Sequence, residues 1–374
     1  MKITALRAYA LEVPAILDIT APPRALSHQI CVVEIDTDAG ITGHGLTTIG
    51  LARPIRTMVL SDAAPLLIDE NPLALEKLFD RLYWGLAPKG QTGTAMHAIS
   101  AIDIALWDIK GKALNMPIYQ LLGGARTSCQ IYATFGFGIY DKAGLGEAAK
   151  AWQEAGFHRL KMTVANGGLR RRDEPRPLKD LIEEDVRRVA VVREAIGPHA
   201  ELFIDANCSL DLYHAQELCH NLTPFGIEFF EEPITQNDVR AMADLRARTS
   251  MRLACGQNEA QLYRFRDMLI AGAVDILQPN VAISGGFTQC QKIAALANSF
   301  NISVDNGGAW PYANMHLQAG VSNGGLVEYH ASSVAVCQQI YTNLPEVKDG
   351  YIQLPEAPGL GYDLNTAALS DFQI

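Results

Sequence analysis

The chain has 374 residues, 48% of them hydrophobic, and a formal net charge of −10, which fits a globular protein of roughly two to three domains with a large core. That surface repels phosphates, which excludes nucleic acid as a partner, and no charge-free apolar run reaches the roughly 20 residues of a membrane span. The opening MKITALRAYALEVP lacks a long apolar signal core, and seven cysteines lie scattered without CxxC spacing; no membrane contact, a cytoplasmic location and reduced, packed thiols are the expectation.

In chain order, the runs 29–37 and 41–49 flank Asp38, Ala39 and Gly40, hairpin chemistry that predicts an antiparallel sheet at the start. From Thr94 to about Leu114, Ile99, Ile102, Ala105, Leu106 and Ile109 recur at spacings of three and four, and Pro117 and the Gly123-Gly124 pair follow; this predicts a helix with a hard stop. After Arg126, short apolar runs alternate with helical stretches. Eight strands are expected, at 129–135, 158–164, 202–207, 226–232, 252–257, 275–280, 302–306 and 325–329. Eight strands over roughly 220 residues define an α/β fold with a barrel of the TIM type. Gly168 to Lys179, rich in arginine and proline, reads as a loop insertion over the barrel mouth. The tail 351–364 is loop-like and is expected to return to the opening sheet.

Asp205 in FIDAN, Glu231 in FFEEP and Gln257 in CGQNE close three successive strands at equal steps of 26 residues. One βα unit advances one strand around the mouth, so equal steps put these side chains at one height. Three converging oxygen donors suit Mg²⁺. Capping of the following helices explains any one of them, but not three in register. Lys161, Asn280, Asn306 and Glu328 sit at the ends of the second, sixth, seventh and eighth strands. A lysine beside a metal loses preference for its ammonium form and becomes a candidate base. Glu328, following GGLV, needs a partner such as Lys161, or a proton, to be buried.

These residues resemble the enolase superfamily, in its mandelate racemase and muconate lactonizing enzyme branch. The resemblance rests on AISAIDIALWDIKGKALNMPIYQLLGG (98–124), with Asp103, Asp108, Lys110, Gly111, Pro117 and the double glycine in place, on FIDAN, FFEEP, SGGFT (284–288) and the PGLG of the tail. It implies a modified TIM (β/α)-barrel under an N-terminal α+β capping domain completed by the C-terminal segment. The expected divisions are 1–126, 127–345 and 346–374. It also implies Mg²⁺-assisted removal of the proton α to a carboxylate, a chemistry for which this superfamily is a worked case of pKa tuning. Carried over by position, Asp205 and Glu231 are metal ligands, and Gln257 stands where a third carboxylate is usual, with Asn258 and Glu259 next to it. In the Lys-x-Lys pattern the second lysine is Thr163. Asn280 and Asn306 (or Gly307) replace the Asp–His dyad, and Glu328 matches a carboxyl that hydrogen-bonds the substrate.

With both usual proton carriers missing, two-base racemisation is disfavoured. The expectation is a lyase or isomerase of a small hydroxy acid, with an acid-sugar dehydratase favoured, a lactone cycloisomerase or epimerase as alternative, and a catalytically silent binding barrel as rival. Lys161 is the expected base; Glu328, Asn280 and Asn306 orient the substrate; Thr163, Asn207, Asp305 and His28 bind it. Asp305, His28, His44 and His330 are the candidate acids, Trp310 and Tyr312 candidate pocket walls. The partner is a small carboxylate, and a homo-oligomer is the norm for such barrels.

Overall fold

The computed structural model describes residues 1–48, 50–86, 91–171, 173 and 178–374, the Arg171 side chain apart. The opening sheet holds β1 (Ile3–Leu17), β2 (Arg24–Thr37) and β3 (Thr42–Thr47) in that order, antiparallel. The predicted hairpin is the β2–β3 pair, in register from Cys31↔Thr47 to Asp36↔Thr42, with Ile49 outside the described residues. β1 was not foreseen: its residues alternate between core and surface only loosely, and Pro14 within it disguises a strand.

The helix Thr94–Leu114 lies where the spacing puts it and packs on β3. Gly43 and Gly45 permit this, because a Cβ on either would run into the carbonyl oxygens of Ala105 and Ala101. The same helix docks on the turn 284–288. Asp103 accepts the Thr288 amide at 3.1 Å, Ser100 Oγ the Gly285 amide at 2.9 Å, and Trp107 Nε1 donates to Thr288 Oγ1 at 3.0 Å. Two segments singled out in the sequence thus meet, fixing the N-terminal layer over the barrel.

The barrel strands are β4 (Ser128–Gly136), β5 (Arg159–Thr163), β6 (Glu201–Asp205), β7 (Ile227–Glu231), β8 (Arg252–Cys255), β9 (Ile276–Leu277), β10 (Ser303–Val304) and β11 (Val327–His330), one for each predicted run. All are parallel to their neighbours, and β11 pairs with β4. Between β10 and β11, the Asn306 amide donating to Leu326 O and the Gly325 amide donating to Val304 O, each at 2.8 Å, close the ring. A helix follows each strand, so the strand ends that precede helices form one rim, where barrel sites lie. Inside the barrel Phe203 and Phe229 stack, and Tyr132 meets Phe203 edge-on.

The tail returns in two steps. Tyr351–Gln353 adds antiparallel to β4, a barrel contact the sequence did not suggest. The Leu360 amide then reaches Asp108 at 2.9 Å, and the last residues bond β1 through Ile374 N donating to Ala10 O at 2.9 Å. The insertion 168–179 is described only in part: Leu169–Arg171 forms a short 3₁₀ turn, residue 178 opens a helix, and 172 and 174–177 lie outside the described residues. The seven cysteines are unpaired, six of them buried. Among the described residues no helix is long and apolar enough to cross a membrane.

Candidate active site

Asp205 and Glu231 are the last residues of β6 and β7 and sit opposite each other in register. Their side chains meet at Lys161 of β5, whose fully buried Nζ lies 2.5 Å from Glu231 Oε2, 2.8 Å from Glu328 Oε1 and 3.5 Å from Asp205 Oδ2. Glu328 also accepts the Thr134 hydroxyl at 2.5 Å and the Ala309 amide at 2.7 Å. Four of the residues expected at the mouth are therefore one cluster.

Three carboxylates against one ammonium leave a formal charge of −2 in a dry setting. Burial pushes Asp205 up and Glu231 well above the usual carboxylate range, and Lys161 only partly offsets this. On Glu328 burial acts the same way, but Lys161, His330 and the Ala309 amide outweigh it and hold the carboxyl low. Burial pulls Lys161 down, yet its three carboxylate neighbours more than compensate and keep it protonated. As placed, Lys161 gathers the three carboxylates around its ammonium. Its ammonium is screened from the cavity by Asp205 and Glu328, and its proton is shared among acceptors it would have to abandon.

A cavity of 490 Å³ opens above this cluster. Asp205, Gln257 and Glu328 line it, as do Thr163, Asn207, Asn258 and Trp310, and three residues of the N-terminal layer, Thr48, Gly93 and His97. Gln257 Nε2 donates to Glu232 Oε2 at 2.8 Å, and Glu232 also takes amides from Asn258 at 2.7 Å and Asn237 at 2.9 Å. Tying down the nitrogen turns Gln257 Oε1 away from Glu232, next to Gly308, where a Cβ would press on it at 3.1 Å. A second layer that orients a ligand's donor atom is what a metal site requires. Of the two shifted alternatives, Glu259 is held by Arg264 at 3.0 Å and Asn258 Nδ2 by Glu232.

The residues fit a hard divalent cation. Asp205 and Glu231 offer two carboxylates and Gln257 an amide oxygen. Glu231 Oε1 is buried without a partner among the described residues, and a Cβ on Gly307 would come within 2.9 Å of it. The cluster's formal −2 is the complement of such an ion.

The other side of the rim departs from expectation. Asn280 Nδ2 lies 2.7, 2.9 and 3.1 Å from the carbonyls of Gly307, Gly308 and Ala309, while its Oδ1 accepts the Ala282 amide. Asn306 Nδ2 reaches Gly307 O at 3.0 Å, and its Oδ1 accepts the Glu328 amide at 3.1 Å. Asn314, unremarked in the sequence, adds contacts to Ala309 O and Trp310 O. These three amides clamp residues 308–310, which carry φ values of 76°, 75° and 61°, a strained run held by its surroundings. With their polar atoms so engaged, Asn280 and Asn306 do not face the cavity to orient substrate.

Asp305 also turns away: its Oδ1 accepts the Leu326 amide at 3.0 Å. His44 is buried against Tyr341 and Tyr362 and bonds Tyr362 O at 3.0 Å, so it is no acid for this site. His28 does not line the cavity either; its Nε2 is 2.7 Å from Ser332 Oγ, which is 3.2 Å from His330 Nδ1. Thr163 and Asn207 do face the cavity, with Thr163 Oγ1 donating to Gly136 O at 2.9 Å. Trp310 forms wall, whereas Tyr312 packs on Tyr362. Sequence reasoning missed His97, Thr48 and Thr134. Nothing in the helical spacing distinguishes the end of Thr94–Leu114 that overlooks the barrel.

The fold and site define a barrel enzyme of the lyase and isomerase class built around a carboxylate cluster. Residues 144–368 match the family described as Enolase C-terminal domain-like, and 14–123 match the N-terminal domain of mandelate racemase / muconate lactonizing enzyme. The chain belongs to the enolase superfamily, in its mandelate racemase and muconate lactonizing enzyme branch. It is 34% identical to D-galactarolactone cycloisomerase of Agrobacterium fabrum over 100% of this chain and 99% of that one. It is 32% identical to D-galactonate dehydratase of Ralstonia pickettii over 98% and 93%. A racemase from Streptomyces coelicolor A3(2), solved with bound magnesium, superposes with a TM-score of 0.89 at 28% identity, covering 100% of both chains.

Proposed function

We propose that this protein is an acid-sugar dehydratase that removes the proton α to the carboxylate of a small polyhydroxy acid and releases the β-hydroxyl as water. The observation that carries the reading is the buried cluster of Lys161, Asp205, Glu231 and Glu328 with its formal −2, directly beneath a cavity walled by Thr48, Thr134, Thr163, Asn207 and Asn258. Neutral donors and acceptors of that kind suit a chain of hydroxyls. Asp205, Glu231 and Gln257 would hold a Mg²⁺ ion. Bound there, the ion supplies the Lewis acid that makes the α-proton of a carboxylate acidic enough to remove. Lys161 stands by as the fixed cation that keeps the carboxylates together, and the Ala309 amide and Thr134 hydroxyl fix Glu328 for hydrogen bonding to substrate. In this reading Lys161 gives up the role of base.

The relatives named above act on a galactarolactone and a galactonate, which supports acid sugars as the substrate class. Lactone cycloisomerisation is the second reading, favoured by the relative matched over the full chain; it begins with the same α-proton. The test is incubation with Mg²⁺ and a panel of D-galactonate, L-rhamnonate, D-xylonate and D-galactarolactone, followed by NMR for 2-keto-3-deoxy acids. Conversion of at least one aldonate with kcat/KM above about 10⁴ M⁻¹ s⁻¹ is expected, the lower end of the usual range of enzymes. Lactone isomerisation without any dehydration would move the second reading to the front. Binding with no turnover of any member would leave a silent barrel.

A further inference from the structure

The cavity carries two imidazoles whose hydrogen bonds fix them in opposite tautomers. His97 Nδ1 lies 2.7 Å from Thr47 Oγ1. That hydroxyl's proton is committed to Ala282 O at 2.5 Å, so Thr47 can only accept, and the His97 proton is on Nδ1. Nε2 is left with its lone pair. His330 is the reverse. The Ser333 backbone amide donates to its Nδ1 at 3.4 Å, and a backbone N–H has no choice of role, so Nδ1 accepts and Nε2 carries the proton. Ser332 Oγ, buried, stands between His330 Nδ1 at 3.2 Å and His28 Nε2 at 2.7 Å. It donates to the first and accepts from the second. Phe137, with ring centroids 5.0 Å apart, packs on the His330 ring.

We propose that His97 is the proton acceptor and His330 the proton donor of this site, with Ser332 and His28 resupplying His330 from solvent. The assignment rests on the dehydratase reading and fills the places left by Thr163, Asn280 and Asn306. Burial pulls both cavity imidazoles down to about 4, so at rest both are neutral and the site holds one open lone pair and one N–H. In the elimination the C2–H bond breaks and its proton passes to His97 Nε2. The electron pair becomes the C2=C3 bond as the C3–O bond breaks, and the departing hydroxide takes the His330 Nε2 proton and leaves as water. His330 Nδ1 receives the Ser332 proton, Ser332 receives that of His28 Nε2, and partly exposed His28 is reprotonated at Nδ1 by water. The enol tautomerises to the keto acid and His97 returns its proton to solvent. Once the product has left, water protonates His330 Nε2 and the Nδ1 proton passes back through Ser332 to His28, which gives up its Nδ1 proton to the hydroxide left in solvent, restoring the starting tautomers. The relay spares His330 the cost of becoming an anion, and the negative charge of the substrate favours the cation formed at His97.

The test uses the aldonate that the wild type dehydrates, D-galactonate first, and its 3-deoxy-3-fluoro analogue, whose fluoride leaves without a proton. His97→Asn keeps an N–H for Thr47 but has no ring lone pair; it is expected to lose both C2 deuterium exchange in D₂O and dehydration by about 100-fold or more. His330→Asn is expected to lose dehydration by about 100-fold while C2 exchange and fluoride elimination stay within about fivefold. Ser332→Ala and His28→Asn should lower dehydration alone, by about tenfold. Thermal melting identifies any variant that fails to fold, and the fluoro substrate separates lost chemistry from lost structure. Full C2 exchange in His97→Asn overturns the assignment, as does a parallel loss of all three readouts in folded His330→Asn. A wild type that dehydrates no aldonate overturns the dehydratase reading first, and the pair falls with it.

Discussion

The two halves of the rim handle buried polarity in opposite ways. On the side of β5, β6, β7 and β11, three carboxylates converge on Lys161 and leave one oxygen, Glu231 Oε1, without a partner among the described residues. On the side of β9 and β10, Asn280, Asn306 and Asn314 spend their amides on the carbonyls of residues 307–310. One half stores unbalanced charge that a cation and an anionic substrate can use; in the other these three amides hold a loop in shape, and the unpaired atoms among the described residues there, on Gln278 and Trp310, carry no charge. Chemistry belongs to the half that holds the charge, because the three amides of the other, with their bonds made, have nothing to offer a ligand.

The sharpest way to break this contrast is Lys161→Met. Removing the one cation leaves three carboxylates buried without compensation, and stability in chelator should fall by about 3–5 kcal/mol, read as urea unfolding; a loss below about 1 kcal/mol would mean that the cluster is not held by charge. Next in size, Mg²⁺ at about 100 times its Kd should stabilise the wild type by about 2.7 kcal/mol over chelator-treated protein, a gain that Asp205→Asn should abolish. On the neutral side, Asn280→Ala should cost about 1–3 kcal/mol through orphaned carbonyls without moving the Mg²⁺ affinity. A variant that weakened Mg²⁺ as much as Asp205→Asn would erase the division. The smallest effect is Gln257→Glu, which should tighten Mg²⁺ by about tenfold, or about 1.4 kcal/mol, offset in part by the like charge of Glu232.

The charged half was largely legible in the sequence and the neutral half was not. Steps of 26 residues from Asp205 to Glu231 to Gln257 work as a ruler because each βα unit returns the chain to the same height. Burial of Glu328 after an apolar run requires a partner, and Lys161 is that partner. Asn280 and Asn306 sit in equally regular positions, but an amide can serve a ligand or a loop. What decided between them was the left-handed run at Gly308, Ala309 and Trp310, for which only Gly308 gives a sequence signal. His97 was hidden because its helix is set by packing on β3 and the turn at 284–288, contacts distant in sequence. His28 was misplaced for a related reason: it lies one hydrogen-bonded residue behind the cavity wall, and only Ser332 reveals its direction. β1 was lost in its weak alternation.

The central claim is that Asp205, Glu231 and Gln257 hold a divalent cation above Lys161. The most direct test is calorimetric titration of chelator-treated protein with MgCl₂ at neutral pH, for the wild type and Glu231→Gln. The account predicts one Mg²⁺ per chain for the wild type and an affinity lowered by about 100-fold or more in the variant, as for loss of a charged ligand. No heat of binding to the wild type at millimolar Mg²⁺, or equal affinities for the two proteins, would contradict it.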